Sequence, residues 1–511
     1  MSTTDQRLNI QERAHPSLVW FRKDLRLDDN RCLFEANKRS KGRIIPVYVL
    51  DPRDYEVNQL GWPKCGAYRA QMLLEALSDL RMKLKRLGSD LILRIGEPEE
   101  ILPELADAQG VTHLYTLEPQ DPREAASVLA VKEGCYREGI EFVEVEGATL
   151  YDLSRLPFEL DDLPRQFIEF RRVVERDMTP RAPELAVAKL LPLPLNLRAG
   201  SLPKLETMNL AEFTQDPRST LPFVGGEAHG LKRVKDYFWD RKLLPFAHHA
   251  RNALAGEMNS PKLSSWLNLG CLSPRRIWYE ALAYEAKYGG SQGVYQLIYH
   301  LTMRDFLILH ARAMGERLFD VKGLREVPRV WEEDGERFAM WWQGYTGFPL
   351  IDAFMRELNA TGYLSSRGRA VVAEFFVRQL NLPWTWAASC FETLLIDYHP
   401  AITWGMMQSV AGVGVSFPTR TYHPVEAGVS VDWEGAYVRY WVPELAHLPS
   451  EWIYQPHLLS EEYQAYYGVY LGQTYPAPIV PPLPSTDRSP TLRERHHEKL
   501  MDFLHRTQKV N

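Results

Sequence analysis

The chain has 511 residues, of which 45% are hydrophobic and 25% charged, and its formal net charge is −6. This composition is typical of a globular protein of about two to four domains with a large apolar core, and its slight acidity argues against a general binder of polyanions. No apolar run approaches the roughly 18 residues of a membrane-spanning helix. None of the five cysteines forms a CxxC pair, so the sequence indicates neither a disulfide framework nor a metal site. We expect a cytoplasmic protein with reduced thiols.

The first 16 residues are polar, and we expect them to form a flexible tail. Beyond them, short apolar runs predict strands at 17–21, 43–50, 90–95, 111–117 and 140–145. Helical patterns separate these runs, the first ending near Gly42 and the others covering 64–88, 98–109 and 122–138. Five strands separated by four helices predict an α/β domain over 17–146, with a parallel sheet and helices on both faces. No GxGxxG follows the first strand, so a dinucleotide site there would lack its phosphate turn.

Three further regions follow the α/β domain. Residues 147–225 are rich in proline, leucine and turn residues with little sustained periodicity, which predicts a long connector over the surface. From 226 to 470 the pattern is helical and rich in aromatic residues, which predicts an all-α domain. We expect residues 471–511 to form a proline-rich C-terminal tail with one short charged helix.

Six strings then occur in a characteristic order: "LVWFRKDLRLDDN" (18–30), "KLSSWLNLGCLSPRRIW" (262–278), "MRDF" (303–306), "GYTGFPLIDAFMREL" (344–358), "YLSSRGRAVVAEFFVRQLNLPW" (363–384) and "FETLLIDYHP" (391–400). Together they resemble the photolyase/cryptochrome family. The strings "FRRVVE" (170–175), "FETLLIDY" and "AGVG" (411–414) are most similar to its DASH cryptochrome branch. The resemblance spans about 17 to 456, which is most of the chain.

The resemblance implies a Rossmann-like N-terminal domain that holds an antenna pigment, and a helical domain that binds FAD. It implies an FAD-binding blue-light flavoprotein, either a monomeric enzyme that repairs pyrimidine dimers in single-stranded or looped-out DNA, or a blue-light sensor. The sequence does not identify a protein partner.

The resemblance also assigns residues to the flavin site. In the family, the arginine matching Arg369 pairs with the aspartate matching Asp397, and the pair brackets the isoalloxazine ring. Without the resemblance, a salt bridge that joins two helices explains these two residues equally well. The remaining implied cofactor-binding positions are Ser260, Leu263, Ser264, Arg304, Ser366, His399 and Thr403.

Several of these positions depart from the family pattern. His399 stands where the family has a second acidic residue, Thr403 where it often has the asparagine opposite flavin N5, and Ser366 where it has the asparagine of "NRxR". Pro261 replaces the threonine of the phosphate-binding "TKFS" pattern, and proline has no N–H to offer a phosphate. The changes predict a flavin pocket that is refitted or relaxed.

The lesion-contacting positions are altered as well. His300 aligns with the family's lesion-contacting glutamate, and Met303 with the tryptophan that stacks on damaged bases. Methionine has no aromatic face of that kind, and histidine can donate a proton where glutamate is an anion. The resemblance therefore places dimer repair by the usual contacts in question.

Photoreduction in the family runs through three tryptophans. The outer two match Trp331 and Trp384, but the innermost position is Met407, a poor one-electron relay. Trp404 or Tyr398 could take that role if its side chain points inward.

Glu118 is the candidate antenna residue, because it follows the fourth predicted strand at the edge where open parallel sheets bind ligands. Its carboxylate could hold the pterin ring of a folate such as methenyltetrahydrofolate. The alternative is a solvated loop acid.

One alternative function remains open at this stage. The same scaffold could have lost light-driven chemistry and could serve as a binding or regulatory module with an altered or absent flavin. The substitutions at His300, Met303, His399, Thr403 and Met407 motivate this alternative.

Overall fold

A computed structural model describes residues 15–247, 254, 256–416 and 422–482. All but two residues of the predicted N-terminal tail, and residues 483–511 of the predicted C-terminal tail, lie outside the described residues.

The N-terminal domain is a five-stranded parallel sheet. Its strands are β1 (Ser17–Phe21), β2 (Ile44–Leu50), β3 (Ile92–Ile95), β4 (His113–Leu117) and β5 (Glu141–Val145), in the order β3-β2-β1-β4-β5. Every strand ends at the predicted residue and starts within two residues of the predicted start, so the predicted sheet is confirmed. Four helices accompany it: α1 (Arg31–Ser40), α2 (Ala67–Arg86), α3 (Pro98–Ala108) and α4 (Pro122–Arg137).

The strand order defines where a ligand could approach the sheet. Strand β1 is buried along its whole length and pairs with β2 on one side and β4 on the other, so the chain reverses its direction of winding there. The carboxyl ends of β1 and β4 meet at this switch point, which is where open parallel sheets bind ligands. Asp121 caps α4 at the same edge by accepting hydrogen bonds from the backbone N–H groups of Arg123 and Glu124.

The connector contains one regular helix, α5 (Phe167–Asp177). Phe167 and Phe170 are buried and pack against Phe306 of the helical domain, with ring centroids 5.4 and 5.5 Å away. The predicted connector therefore contains an eleven-residue helix that its weak periodicity did not indicate.

The C-terminal domain is helical, as predicted. Its helices are α6 (Glu227–Val234), α7 (Ser264–Asn268), α8 (Pro274–Tyr288), α9 (Gln292–Met314), α10 (Gly335–Gln343), α11 (Pro349–Thr361), α12 (Ser366–Glu374), α13 (Trp384–Leu394), α14 (Pro400–Ala411), α15 (Pro424–Val431), α16 (Ala436–Trp441) and α17 (Glu461–Tyr467). Helices α6 and α12 each continue into a π turn, at Lys235–Asp240 and Phe375–Gln379.

Buried polar contacts join the two domains. Arg275 of α8 donates hydrogen bonds to Asp29 at 2.6 and 3.0 Å, and both side chains are fully buried. On the other side of the boundary, the Asp305 carboxylate of α9 accepts the backbone N–H groups of Leu150 and Tyr151, each at 3.0 Å. The α/β domain thus supplies a charge that the helical domain neutralises, and the helical domain supplies one that the connector hydrogen-bonds.

Candidate functional site

Arg369 and Asp397 form an ion pair in the helical domain. The Ser365 hydroxyl caps α12 by accepting from the Gly368 N–H, which places Arg369 on the first turn of the helix. One terminal nitrogen of Arg369 donates to both Asp397 oxygens, at 2.7 and 2.9 Å, and its Nε donates to the Leu364 carbonyl at 2.8 Å. The Asp397 side chain is 3% exposed and that of Arg369 is 19% exposed. The carboxylate therefore fixes the guanidinium while leaving part of it accessible.

A buried cation lies close to this pair. Lys262 is in the left-handed region (φ +53°), and its ammonium lies 5.6 Å from the centroid of the Tyr363 ring, which Arg369 also approaches. Burial, together with the positive charge of Arg233, lowers the pKa of Lys262 to about 8. Among the described residues, Lys262 forms no ion pair with a carboxylate. Glu357 and Glu257 attract the ammonium, but this attraction does not offset its burial and the repulsion from Arg233.

An unsatisfied hydroxyl accompanies this cation. The Ser265 side chain is fully buried, and its Oγ has no hydrogen-bond partner among the described residues. A buried cation and an unsatisfied buried hydroxyl, three residues apart in the chain, are each costly unless a ligand completes them. The donor set therefore fits the diphosphate of a dinucleotide such as FAD. Sequence reasoning did not single out either residue, although a lysine inside the apolar string "SPKLSSWLNLG" was a usable signal.

The other predicted phosphate and ring residues occupy the same part of the domain. Ser260 has its backbone carbonyl bound by Arg233 at 3.2 Å, Leu263 is buried directly before α7, and Ser264 opens α7. Ser366 is the first residue of α12, three residues before Arg369. Their roles at a cofactor stay predictions.

Arg304 and His399 meet at a side chain of the α/β domain. The Gln120 Oε1 accepts from Arg304 at 3.1 Å and lies 3.0 Å from His399 Nε2. Burial lowers the pKa of His399 well below its usual value, so the ring is neutral. An amide oxygen only accepts, so Nε2 carries the proton, and Nδ1 keeps a lone pair with no partner among the described residues. Gln120 was not predicted, because its partners are distant in sequence.

Glu118 is buried at the domain boundary. One carboxylate oxygen accepts the N–H groups of Gly147 and Ala148 at 3.1 and 3.4 Å, and the other accepts from Arg312 of α9 at 2.7 Å. The side chain is 4% exposed, so the alternative of a solvated loop acid is wrong. Whether Glu118 holds an antenna stays a prediction.

The lesion-contacting candidates lie on the N-terminal half of α9. His300 is exposed, and its Nε2 lies 2.9 Å from Gln296 Nε2, one turn earlier. Met303 is partly buried on the same helix. Two other candidates, Thr403 and Met407, are buried one turn apart on α14.

The tryptophans form a contact that the sequence left open. Trp384 and Trp404 are buried, and their rings meet edge to face with centroids 5.6 Å apart. The Trp404 indole N–H donates to the Tyr398 hydroxyl at 2.9 Å. The predicted outermost relay, Trp331, is partly buried, with the Arg329 guanidinium 4.1 Å from its centroid. Trp404 is therefore buried and touches one of the predicted relay residues, and its part in electron transfer stays a prediction.

None of the described helices combines the length and apolar character needed to cross a membrane.

Comparisons with known proteins agree with this arrangement. The family described as "DNA photolyase" matches residues 17–188, and the "FAD binding domain of DNA photolyase" matches residues 296–489. The chain is 38% identical over 487 residues to a cryptochrome DASH of Gloeobacter violaceus, covering 94% of this chain and 97% of the relative. It is also 38% identical over 463 residues to a cryptochrome DASH of Xenopus laevis, covering 90% of this chain and 88% of the relative.

Solved structures give the same result. A Synechocystis sp. PCC6803 cryptochrome superposes with a TM-score of 0.88 at 37% identity, covering 91% of this chain and 97% of that one. A class III photolyase from Agrobacterium tumefaciens superposes with a TM-score of 0.79 at 28% identity, covering 98% of this chain and 99% of that one. This chain belongs to the photolyase/cryptochrome family, with DASH cryptochromes among its relatives and the family's FAD-binding domain in its helical half.

Proposed function

We propose that the helical domain binds FAD and that blue light drives one-electron transfer from its tryptophans, with light sensing rather than dimer repair as the output. The observation that carries the proposal is the Arg369–Asp397 pair beside the buried cation Lys262. Bound FAD would supply a chromophore that accepts an electron when excited.

Each residue would have a distinct part in binding. Lys262 would neutralise the diphosphate, and the Ser265 hydroxyl would gain the partner that it lacks. Arg369 would face the ring and favour negative charge on it, while Asp397 holds the guanidinium in position. The lone pair on His399 Nδ1 could accept a hydrogen bond from an N–H group of the ligand.

Sensing is favoured over repair because of α9. The helix offers an exposed histidine and a partly buried methionine, His300 and Met303, where the family's repair contacts need an acid and an aromatic face. DNA binding, including binding to single-stranded or looped-out lesions, follows from the family and is retained as part of the proposal.

A folate antenna at Glu118 is a finer proposal. A pterin ring at this carboxylate would replace the Arg312 ion pair or share it. Reduced folate released from freshly purified protein, and lost from Glu118→Ala, supports the proposal, whereas protein from which no folate is released contradicts it. A monomer in the cytoplasm is our expectation for the state and location of the protein.

The decisive experiment is expression in the dark, followed by visible absorption spectroscopy and identification of the released cofactor. We expect about one FAD per chain and bleaching of the spectrum under blue light with an external reductant. Protein that is folded but colourless, and that stays empty after incubation with FAD, contradicts the proposal.

A second measurement separates sensing from repair. We expect no light-dependent repair of a dimer-containing single-stranded oligonucleotide by the wild type, and a gain of repair in the double variant His300→Glu/Met303→Trp. Repair by the wild type well above the dark control would identify an active photolyase instead. The single variant His300→Gln is the matched control, since it restores neither the charge nor the ring.

A further inference from the structure

We propose that Tyr398 is the terminal electron donor of the tryptophan pair and that Glu392 takes its proton. The inference rests on the proposed function, because the oxidant is a photoexcited oxidised flavin. It concerns a part of the protein that the family's three-tryptophan route does not include.

A continuous chain of contacts supports the route. Trp384 touches Trp404 at a centroid distance of 5.6 Å, and Trp404 donates its indole N–H to the Tyr398 hydroxyl at 2.9 Å. The same hydroxyl donates to Glu392 Oε1 at 3.1 Å. Tyr398 therefore contacts an electron acceptor and a proton acceptor through one oxygen atom.

The surroundings hold the proton acceptor in place. Glu392 is 3% exposed and accepts from Arg123 of α4 at 2.6 Å, while the Arg69 guanidinium lies 4.8 Å from the centroid of the Tyr398 ring. Arg123 thus forms an ion pair with the Glu392 carboxylate. Proton transfer needs a donor and an acceptor within hydrogen-bond reach, which the 3.1 Å contact satisfies.

The electrons and protons balance in one step. When an electron leaves the Trp384–Trp404 pair for the excited flavin, the pair carries one positive charge. Tyr398 then passes one electron to oxidised Trp404 and its hydroxyl proton to ionised Glu392. The products are neutral Trp404, a neutral tyrosyl radical and a protonated carboxyl group, and the total charge is unchanged.

The consequence is a longer-lived charge separation. Transfer of the proton to Glu392 opposes return of the electron, because the return step must also move the proton back. Met407 stands at the family's innermost tryptophan position, so the usual first electron donor is absent. This substitution makes the route through Tyr398 relevant.

The test uses the full-length chain purified in the dark, with its FAD content measured first. The sample is illuminated, frozen and examined by electron paramagnetic resonance, with ring-deuterated tyrosine to identify a tyrosyl signal. We expect such a signal in the wild type and its loss in Tyr398→Phe. In Glu392→Gln, which keeps an acceptor oxygen but no base, we expect formation to slow by about 100-fold. In the wild type, formation should also be slower in D₂O.

Tyr454→Phe is the matched control. Tyr454 is a buried phenol that donates to a carboxylate, Asp432, at 2.7 Å, and it is not part of the contact chain from Trp384 to Glu392. This variant should keep the signal.

Failure of the proposed function and failure of this inference give different results. Protein without FAD contradicts the proposed function and removes the inference with it. FAD-loaded protein that bleaches but yields only a tryptophanyl radical, or that keeps its tyrosyl signal in Tyr398→Phe, overturns the inference alone.

Discussion

Asp397 is the more buried member of the ion pair with Arg369, and it has no substitute among the described contacts of that guanidinium. Asp397→Ala should lower the free energy of unfolding by about 3 kcal/mol, the lower end for a buried pair, because Arg369 stays partly exposed. FAD content should fall with it. Urea denaturation and the absorption spectrum check both effects.

In the control variant Asp177→Ala, which breaks an exposed pair with Arg176, neither the stability nor the FAD content should change. Equal stability of Asp397→Ala and the wild type would show that the pair is not needed.

Lys262 makes FAD affinity depend on pH. Its pKa is lowered to about 8 in the protein without ligand, and a diphosphate beside it would raise that value. Above pH 8, binding then takes up a proton, so affinity should fall as pH rises from about 8 towards 10. Fluorescence titration of FAD over this range checks the slope. Lys262→Met should bind FAD more weakly and lose the slope, whereas a slope that persists in Lys262→Met would assign the effect to another group.

The same lysine affects stability in the absence of ligand. Its pKa is 10.5 in the unfolded chain and about 8 in the folded one, so the unfolded state binds more protons between these values. The folded state is therefore more stable above pH 10.5, where the lysine is neutral in both states. This added stability is lost as the pH falls towards 8, because the buried lysine binds a proton less readily than the unfolded chain does. FAD should reverse the trend, because the bound diphosphate stabilises the ammonium.

Candidate site positions were easier to predict from the sequence than the partners of their side chains. Arg369 and Asp397 were predictable from the resemblance, and their pairing is present in the structure. The burial of Glu118 was not predictable, because its partner Arg312 lies 194 residues away. A local pattern reports spacing within an element, whereas burial of a charge depends on which distant charge reaches it.

At the scale of elements, the spacing of apolar residues was enough to predict the helices and strands that are long or that alternate regularly along the chain. All five strands were predicted, since each is a short apolar run bounded by polar residues. Helix α5 was missed, although "FIEFRRVVERD" has helical spacing, because proline-rich sequence lies downstream and short helices depend on packing. Its packing partner, Phe306, comes from α9.

Gly270 joins α7 to α8 where the helical domain packs closely on Lys23 of the α/β domain. Its φ is +69°, and a Cβ there would lie 1.8 Å from the Lys23 carbonyl oxygen. Gly270→Ala should therefore force the domains apart and lower the melting temperature sharply. Gly412→Ala is the matched control, because φ is +78° with nothing within 4 Å, so only the left-handed conformation costs energy, about 1–2 kcal/mol. Calorimetry compares the two, and equal melting temperatures would contradict the close approach.

At the scale of the whole molecule, the Asp29–Arg275 pair makes each domain depend on the other. Asp29→Asn removes the charge but suits the left-handed backbone there (φ +51°), and it leaves fully buried Arg275 under-compensated. We expect a loss of about 3–5 kcal/mol in the free energy of unfolding. Asp28→Asn, which breaks the partly exposed pair with Arg276, should cost less than about 1 kcal/mol. Similar losses in both variants, measured by denaturant unfolding, would contradict a special role for the buried pair.

The domain boundary also bears on synthesis of the chain. Asp29 and Arg275 are 246 residues apart, so the sheet domain has left the ribosome long before its buried carboxylate can meet its partner. At about 5–20 residues per second, the delay is roughly 12–50 s. During that interval the Asp29 carboxylate, two residues before α1, has no guanidinium partner, and the surface that packs on the helical domain stays exposed. Translation speed between residues 30 and 275 therefore becomes a determinant of the yield of folded protein.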